Sequence, residues 1–147
     1  MSSGKNHTRA TLALTAVSAA VCHICDLSQL HTLGVVTGVF LRPDLDVEKG
    51  NITYAYMRKI GLEWLWSAWW RRYAVVCQHR SVVSHSIPFG TLIRFFYFFW
   101  PALLVMAFVP GSVFYWSPVV GLMAADALHV VMDIYTEIVA GLKRLRK

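Results

Sequence analysis

Two histidines stand in the run His79-Arg80-Ser81-Val82-Val83-Ser84-His85-Ser86, just ahead of a long uncharged apolar stretch. Imidazoles spaced so closely at such a boundary are poorly explained by packing. Pro43-Asp44-Leu45-Asp46 sets two carboxylates on a turn at the end of another apolar segment. Near the C-terminal end, His129 and Asp133 are four apart and so share one face of a helix. Together with His7, these residues have the composition of a metal site assembled from scattered parts of the chain.

Neutral imidazole and carboxylate are the usual protein ligands of zinc, manganese or iron, and a set without cysteine suits a hydrolytic centre. In hydrolysis the ion lowers the pKa of a bound water to about 7 and polarises the scissile group. Four histidines and up to three carboxylates exceed one tetrahedral site, so one or two divalent ions are expected, zinc before manganese or iron. A pair of ions typically serves phosphoester cleavage, because it holds both the attacking and the leaving oxygen. The expected ligands are His7, Asp44, Asp46, His79, His85, His129 and Asp133. Asp46 and Arg80 are the candidate catalytic residues, one to help activate water and the other to pair with a phosphate oxygen. Ser84 and Ser86 are expected to orient the histidines or to cap a helix beginning near Pro88.

Each element alone has a plainer explanation. Asp44 and Asp46 after Pro43 fit an ordinary turn. His129 and Asp133 fit a polar pair bridging helices, and His79 and His85 fit interfacial histidines. Their coincidence on one side of the chain's topology is what favours the joint metal-site reading. Asp126, seven residues before Asp133, falls on the same face but deeper, as a supporting or structural group. Cys22-His23-Ile24-Cys25 has no second cysteine pair and reads as structural, and Cys77 as a small buried hydrophobe.

Charge-free intervals define the elements that must position these groups. Residues 10–25 and 27–41 carry no charge, each a little short of the roughly 20 residues a crossing needs. Residues 95–125 are also uncharged and are interrupted by Pro110-Gly111 and Pro118, which predicts one helix near 89–109 and another near 117–141. The stretch 61–77 gathers Trp64, Trp66, Trp69, Trp70 and Tyr73 beside Arg71 and Arg72, the pattern of a helix lying in a membrane interface. The fold class expected is therefore all-α, a polytopic membrane protein with about four spanning helices plus an interfacial Trp-rich helix. A length of 147 residues predicts a single membrane-embedded domain, 1–147.

Composition agrees. Apolar residues make up 56% of the chain and mean hydropathy is +0.50, against about 45–50% apolar in ordinary soluble domains. The net charge of +6 comes from residues that flank apolar blocks, which suits anionic headgroups and leaves no continuous stripe for nucleic acid. Three cysteines make no disulfide framework. Lys5 and Arg9 precede the first apolar run without a cleavage site ahead of a soluble domain, so that run is expected to be retained.

Lys and Arg are absent from the turns near 26–30 and 110–118 but abundant near the N-terminal end, across 42–88 and in the tail. The positive-inside rule then places both termini of a multi-pass membrane protein in the cytoplasm. His7, Asp44, Asp46, His79, His85, His129 and Asp133 fall on that side, while His23 and His31 fall on the other. Expected partners are membrane lipids, a phosphate-containing substrate, and a further copy or a larger membrane complex.

The order of these motifs is familiar. Ser3-Gly4-Lys5-Asn6-His7 comes first, then Gly34 and Gly38 leading into Pro43-Asp44-Leu45-Asp46. The Trp-rich segment then runs into His79-Arg80-Ser81 and Ser84-His85-Ser86, followed by the His129/Asp133 pair. The chain from about residue 3 to 135 resembles an uncharacterised family of small bacterial membrane-associated metal-binding proteins. It is similar, more distantly, to the LexA-regulated inner-membrane metal-dependent hydrolases. The resemblance implies metal binding at these positions. Thr8 stands where family members carry an acidic residue after the first histidine, which removes a carboxylate from that position. A metal-dependent hydrolase is the expected activity, with a non-catalytic metal-stabilised scaffold or assembly subunit as the alternative.

Overall fold

The computed structural model describes residues 4–41, 43, 52–77, 86–110 and 115–145, and among these the chain is entirely helical. Six helices follow in order: α1 Gly4–Ile24, α2 Leu30–Thr37, α3 Ile52–Lys59, α4 Glu63–Val76, α5 Phe89–Phe108 and α6 Ser117–Leu145.

Local sequence accounts for the boundaries. α1 is rich in alanine, the best helix former. Its Thr11 and Thr15 hydroxyls bond back to the carbonyls of His7 and Thr11, so these side chains satisfy themselves within the helix. α1 ends at Asp26, whose φ of 53° lets the Leu27 amide reach back to the Cys22 carbonyl at 2.8 Å. α3 stops in the same way. Gly61 adopts φ 75°, a value that favours glycine, and the Leu62 amide bonds the Met57 carbonyl at 2.8 Å. α6 opens with Pro118 in its first turn and closes with Lys143 and Arg144 in its last, each where helix geometry and dipole favour it. Ser86 contributes its backbone carbonyl to the Gly90 amide at 2.7 Å, and no side chain caps α5.

Packing centres on α2 and α6, whose backbones touch. A Cβ built on Gly34 would lie 2.0 Å from the Pro118 carbonyl oxygen, and one on Gly121 would lie 2.0 Å from the His31 carbonyl oxygen. One turn on from these, a Cβ on Gly38 would meet that of Ala125 at 2.4 Å. Glycine spaced by four on one helix thus faces glycine and alanine spaced by four on the other, the small-residue crossing common between membrane helices. α1 lies on this pair, with Ser18 Oγ 2.9 Å from His31 Nδ1. α4 turns Trp66, Trp70, Tyr73 and Cys77 inward and leaves Trp64, Arg71, Arg72 and Val75 outside. Its inner face packs on α5 through Trp66–Phe98 and Tyr73–Tyr97 ring contacts, and Tyr97 donates to the Trp69 carbonyl at 2.6 Å.

Among the described residues two helices, not the four expected, are long and apolar enough to cross a membrane: Phe89–Phe108 and Ser117–Leu145. α1 has the length, at 21 residues, but His7, Thr8, Thr11, Thr15 and Ser18 dilute its apolar character. α2 is a helix of only eight residues, a rise of about 12 Å against a hydrocarbon layer of about 30 Å. The charge-free intervals marked apolar stretches correctly, but the α2 interval spends its residues on a short helix and a turn.

Only 17% and 33% of the apolar stretches of α5 and α6 lie buried in the protein. Phe96, Trp100, Leu104, Val105 and Phe108 of α5 and Val131, Ile134 and Ile138 of α6 are exposed.

Candidate metal centre

α1 brings His7, at the end of its first turn, against the middle of α6. The imidazoles of His7 and His129 stack with ring centroids 4.0 Å apart and planes 28° apart. Asp133, one turn beyond His129, reaches both: Oδ1 is 3.1 Å from His7 Nε2, and Oδ2 is 3.3 Å from His129 Nε2. One donor atom from each of the three residues lies within 4.8 Å of the others. Ligands on a tetrahedral ion with bonds of about 2.1 Å stand roughly 3.4 Å apart, so three donors within 4.8 Å of one another are close enough to share an ion after small side-chain rotations. The donor types, two nitrogens and an oxygen, fit a zinc-like divalent cation. Both imidazoles are buried, at 3% and 4% exposure, while the Asp133 side chain is 35% exposed and opens the cluster on one side.

A second polar layer lies one turn closer to the start of α6. Thr91 and Arg94 of α5 both donate to Asp126 Oδ2, and Arg94 and Asp126 are each 1% exposed. This pair fastens α5 to α6 beside His129. Asp126 was expected as a supporting or structural residue, and the structure gives it that surrounding. Its partner Arg94 went unforeseen. The available signal was a lone cation inside one apolar stretch and a lone anion inside the next. Tyr73 of α4 closes the layer from the other side, where burial pushes its phenol well above the usual value and the Arg94 guanidinium acts in the opposite direction.

Of the residues singled out from sequence, His7, His129 and Asp133 come together. Asp44, Asp46, His79, Arg80 and His85 lie outside the described residues. His31 does not join the cluster. It bonds Ser18, which lies about 16 Å along α1 from His7 at 1.5 Å per residue. His23 is exposed near the end of α1. Cys22 and Cys77 are buried thiols and Cys25 is exposed, all three free.

A search of curated proteins and of solved structures gave no match. A family model described as "Uncharacterized metal-binding protein (DUF2227)" matches residues 2–117. The matched span takes in His7 and stops short of His129 and Asp133, so the place of those two rests on geometry. With more than half its length matched, the chain belongs to DUF2227, a family of uncharacterized metal-binding proteins.

Proposed function

We propose that His7, His129 and Asp133 hold a divalent metal ion, with Asp44, His79 and His85 supplying further donors to one or two ions and Asp46 standing beside them. On this reading the protein is a metal-dependent hydrolase of phosphoesters, embedded in a bacterial-type inner membrane with its metal centre at the cytoplasmic face. The observation that carries it is the convergence of two buried imidazoles and a half-open carboxylate from opposite ends of the chain.

Zinc is the first candidate, with manganese or iron next, since all three accept imidazole and carboxylate. Bound there, the ion would supply a Lewis acid and an acidified water. The chain's own residues would do the rest. Asp133, exposed on one edge, keeps the cluster open toward solvent. Asp46 would take a proton from the attacking water, and Arg80 would neutralise a phosphoryl oxygen. The reaction type rests on the donor chemistry, since imidazole and carboxylate without cysteine suit a hydrolytic ion. The apolar, mostly unburied faces of α5 and α6 support the membrane setting, and make a lipid headgroup or another membrane-proximal phosphate the natural substrate.

One observation favours a second reading. Imidazoles as buried as His7 and His129 also suit a closed structural site, in which metal binding contributes folding energy and the protein serves as a scaffold or an assembly partner. Metal analysis of purified protein, followed by a phosphoester screen with metallated and chelated samples, separates the two. Turnover that tracks metal content is expected. Fully metallated protein that turns over no phosphoester above the chelated background would overturn the hydrolase reading, and protein that binds no metal would overturn both.

A further inference from the structure

Beyond the ion pair of Arg94 and Asp126, toward the start of α6, α2, α5 and α6 enclose a slot of about 320 Å³. It lies on the far side of that polar layer from His7, His129 and Asp133. Its lining is almost entirely carbon, with Thr37 and Tyr115 as the side chains that carry a hydroxyl.

The shape is elongated. α5 contributes Phe95, Phe99, Leu103 and Met106, residues that repeat on one face over three turns. Eleven residues of helix rise about 16 Å. One leaflet of a bilayer offers about 15 Å of hydrocarbon, half of the roughly 30 Å core. The slot thus runs along the helix axes for the depth of one leaflet, between the two helices that are apolar enough to cross a membrane. Its far end carries Tyr115, which with the adjacent Trp116 is more than half exposed, the residue types that sit at headgroup level. Gly34 rests against the Pro118 backbone, so α2 and the start of α6 form one continuous back wall. Apolar cavities of about 150 Å³, half this size, take up small apolar molecules instead of water.

We propose that this slot binds one acyl chain lengthwise, with its polar head at Tyr115 and its tail against Phe95. The inference rests on the membrane placement proposed above and is independent of the metal centre. An acyl chain can come from a bilayer phospholipid or from a free fatty acid, and the two differ only in the head left at the mouth.

The test uses full-length protein reconstituted in vesicles of palmitoyl-oleoyl phosphatidylglycerol. The protein is then extracted into digitonin, a steroidal detergent with no alkyl chain, and examined by mass spectrometry under non-denaturing conditions. One acyl-bearing molecule per chain is expected to survive extraction, its mass naming phospholipid or fatty acid. Delipidated protein offered palmitate or the phospholipid separately should rebind the same class. Leu103→Trp fills the middle of the slot and should cut retention at least tenfold, with helicity and bound metal unchanged. Leu30→Trp, on the opposite wall, gives the same readout if Leu103→Trp does not fold. Wild-type protein that retains no acyl chain, or filled variants that retain as much as wild type, would overturn the proposal. Flotation of wild-type protein with the vesicles tests the membrane placement separately, and metal content read on the same samples keeps a failure of the metal centre distinct.

Discussion

His7 and His129 stack their imidazoles 4.0 Å apart, although one lies in the first helix and the other in the last. The contact turns Asp133 into a group shared by both rings and makes the mutual position of α1 and α6 depend on what these three side chains hold.

The first prediction concerns that dependence. A ligand that binds only the folded state stabilises it by RT ln(1 + [L]/Kd), about 2.7 kcal/mol at a hundredfold excess over Kd. Zinc should therefore raise the melting temperature of chelated wild-type protein, and His7→Ala or His129→Ala should remove most of that rise along with the bound metal. Metal content measured by plasma mass spectrometry should fall in parallel. Undiminished metal in both variants and in Asp133→Asn would exclude this cluster as the site.

Asp126 gives a different outcome, because its partner is a buried cation and not a ring. Asp126→Ala removes the carboxylate that faces the buried Arg94 guanidinium, a loss of about 3–5 kcal/mol when a buried pair is broken from one side. Replacing both, as Arg94→Met with Asp126→Leu, removes the uncompensated charge and should recover most of the stability. Chemical denaturation in detergent micelles provides the comparison. A double variant no more stable than Asp126→Ala would show that the layer contributes something other than charge pairing.

Much of this was legible in the chain. The apolar intervals and the Pro110-Gly111 break predicted helices near 89–109 and 117–141, and the structure has Phe89–Phe108 and Ser117–Leu145. Those signals are local, since charge and turn chemistry act where they stand. The i, i+4 spacing of His129 and Asp133 is local too, and a helix delivers it. The partner that α1 supplies is not, because nothing in the spacing of His7 fixes which neighbour it meets. The count of spans failed at α1, where polar residues dilute the helix, and at α2 for a related reason. In the sequence Gly34 and Gly38 figure only in the motif order leading into Pro43-Asp44-Leu45-Asp46, yet their missing side chains are what let a short helix press onto Pro118 and Ala125 of α6.

That crossing carries the third prediction. A methyl group on Gly34 or Gly121 would sit 2.0 Å from a backbone oxygen of the facing segment, an overlap that no side-chain rotation relieves. Gly34→Ala and Gly121→Ala should each cost about 1–3 kcal/mol as α2 and α6 are forced apart. Gly141→Ala on the same helix as Gly121 meets nothing within 4 Å and, with alanine's better helix propensity, should be neutral or stabilising by up to about 1 kcal/mol. Thermal melts of the three variants decide it. Equal effects at all three positions would contradict a backbone contact between the helices.

The last prediction separates catalysis from scaffolding. Removing an imidazole lowers bound metal on either reading, so it cannot discriminate. The useful residues are those whose proposed chemistry is proton transfer or phosphate binding, and each should be changed without altering its size or fold more than needed. Asp46→Asn keeps the volume and removes the base, and Arg80→Ala removes the cation beside His79. In a phosphoester hydrolase both variants should keep the metal held by His7, His129 and Asp133 and keep their melting temperature. They should still lose two to three orders of magnitude in kcat, since removing one group that stabilises transition-state charge costs about 3–4 kcal/mol. In a scaffold the same changes would leave no activity to lose, and any effect would appear in stability or in assembly. Measuring metal content, melting temperature and phosphoester turnover on the same preparations reads all three quantities at once. Variants that keep both metal and full turnover would remove Asp46 and Arg80 from the reaction, while leaving the His7, His129 and Asp133 cluster to be tested on its own metal occupancy.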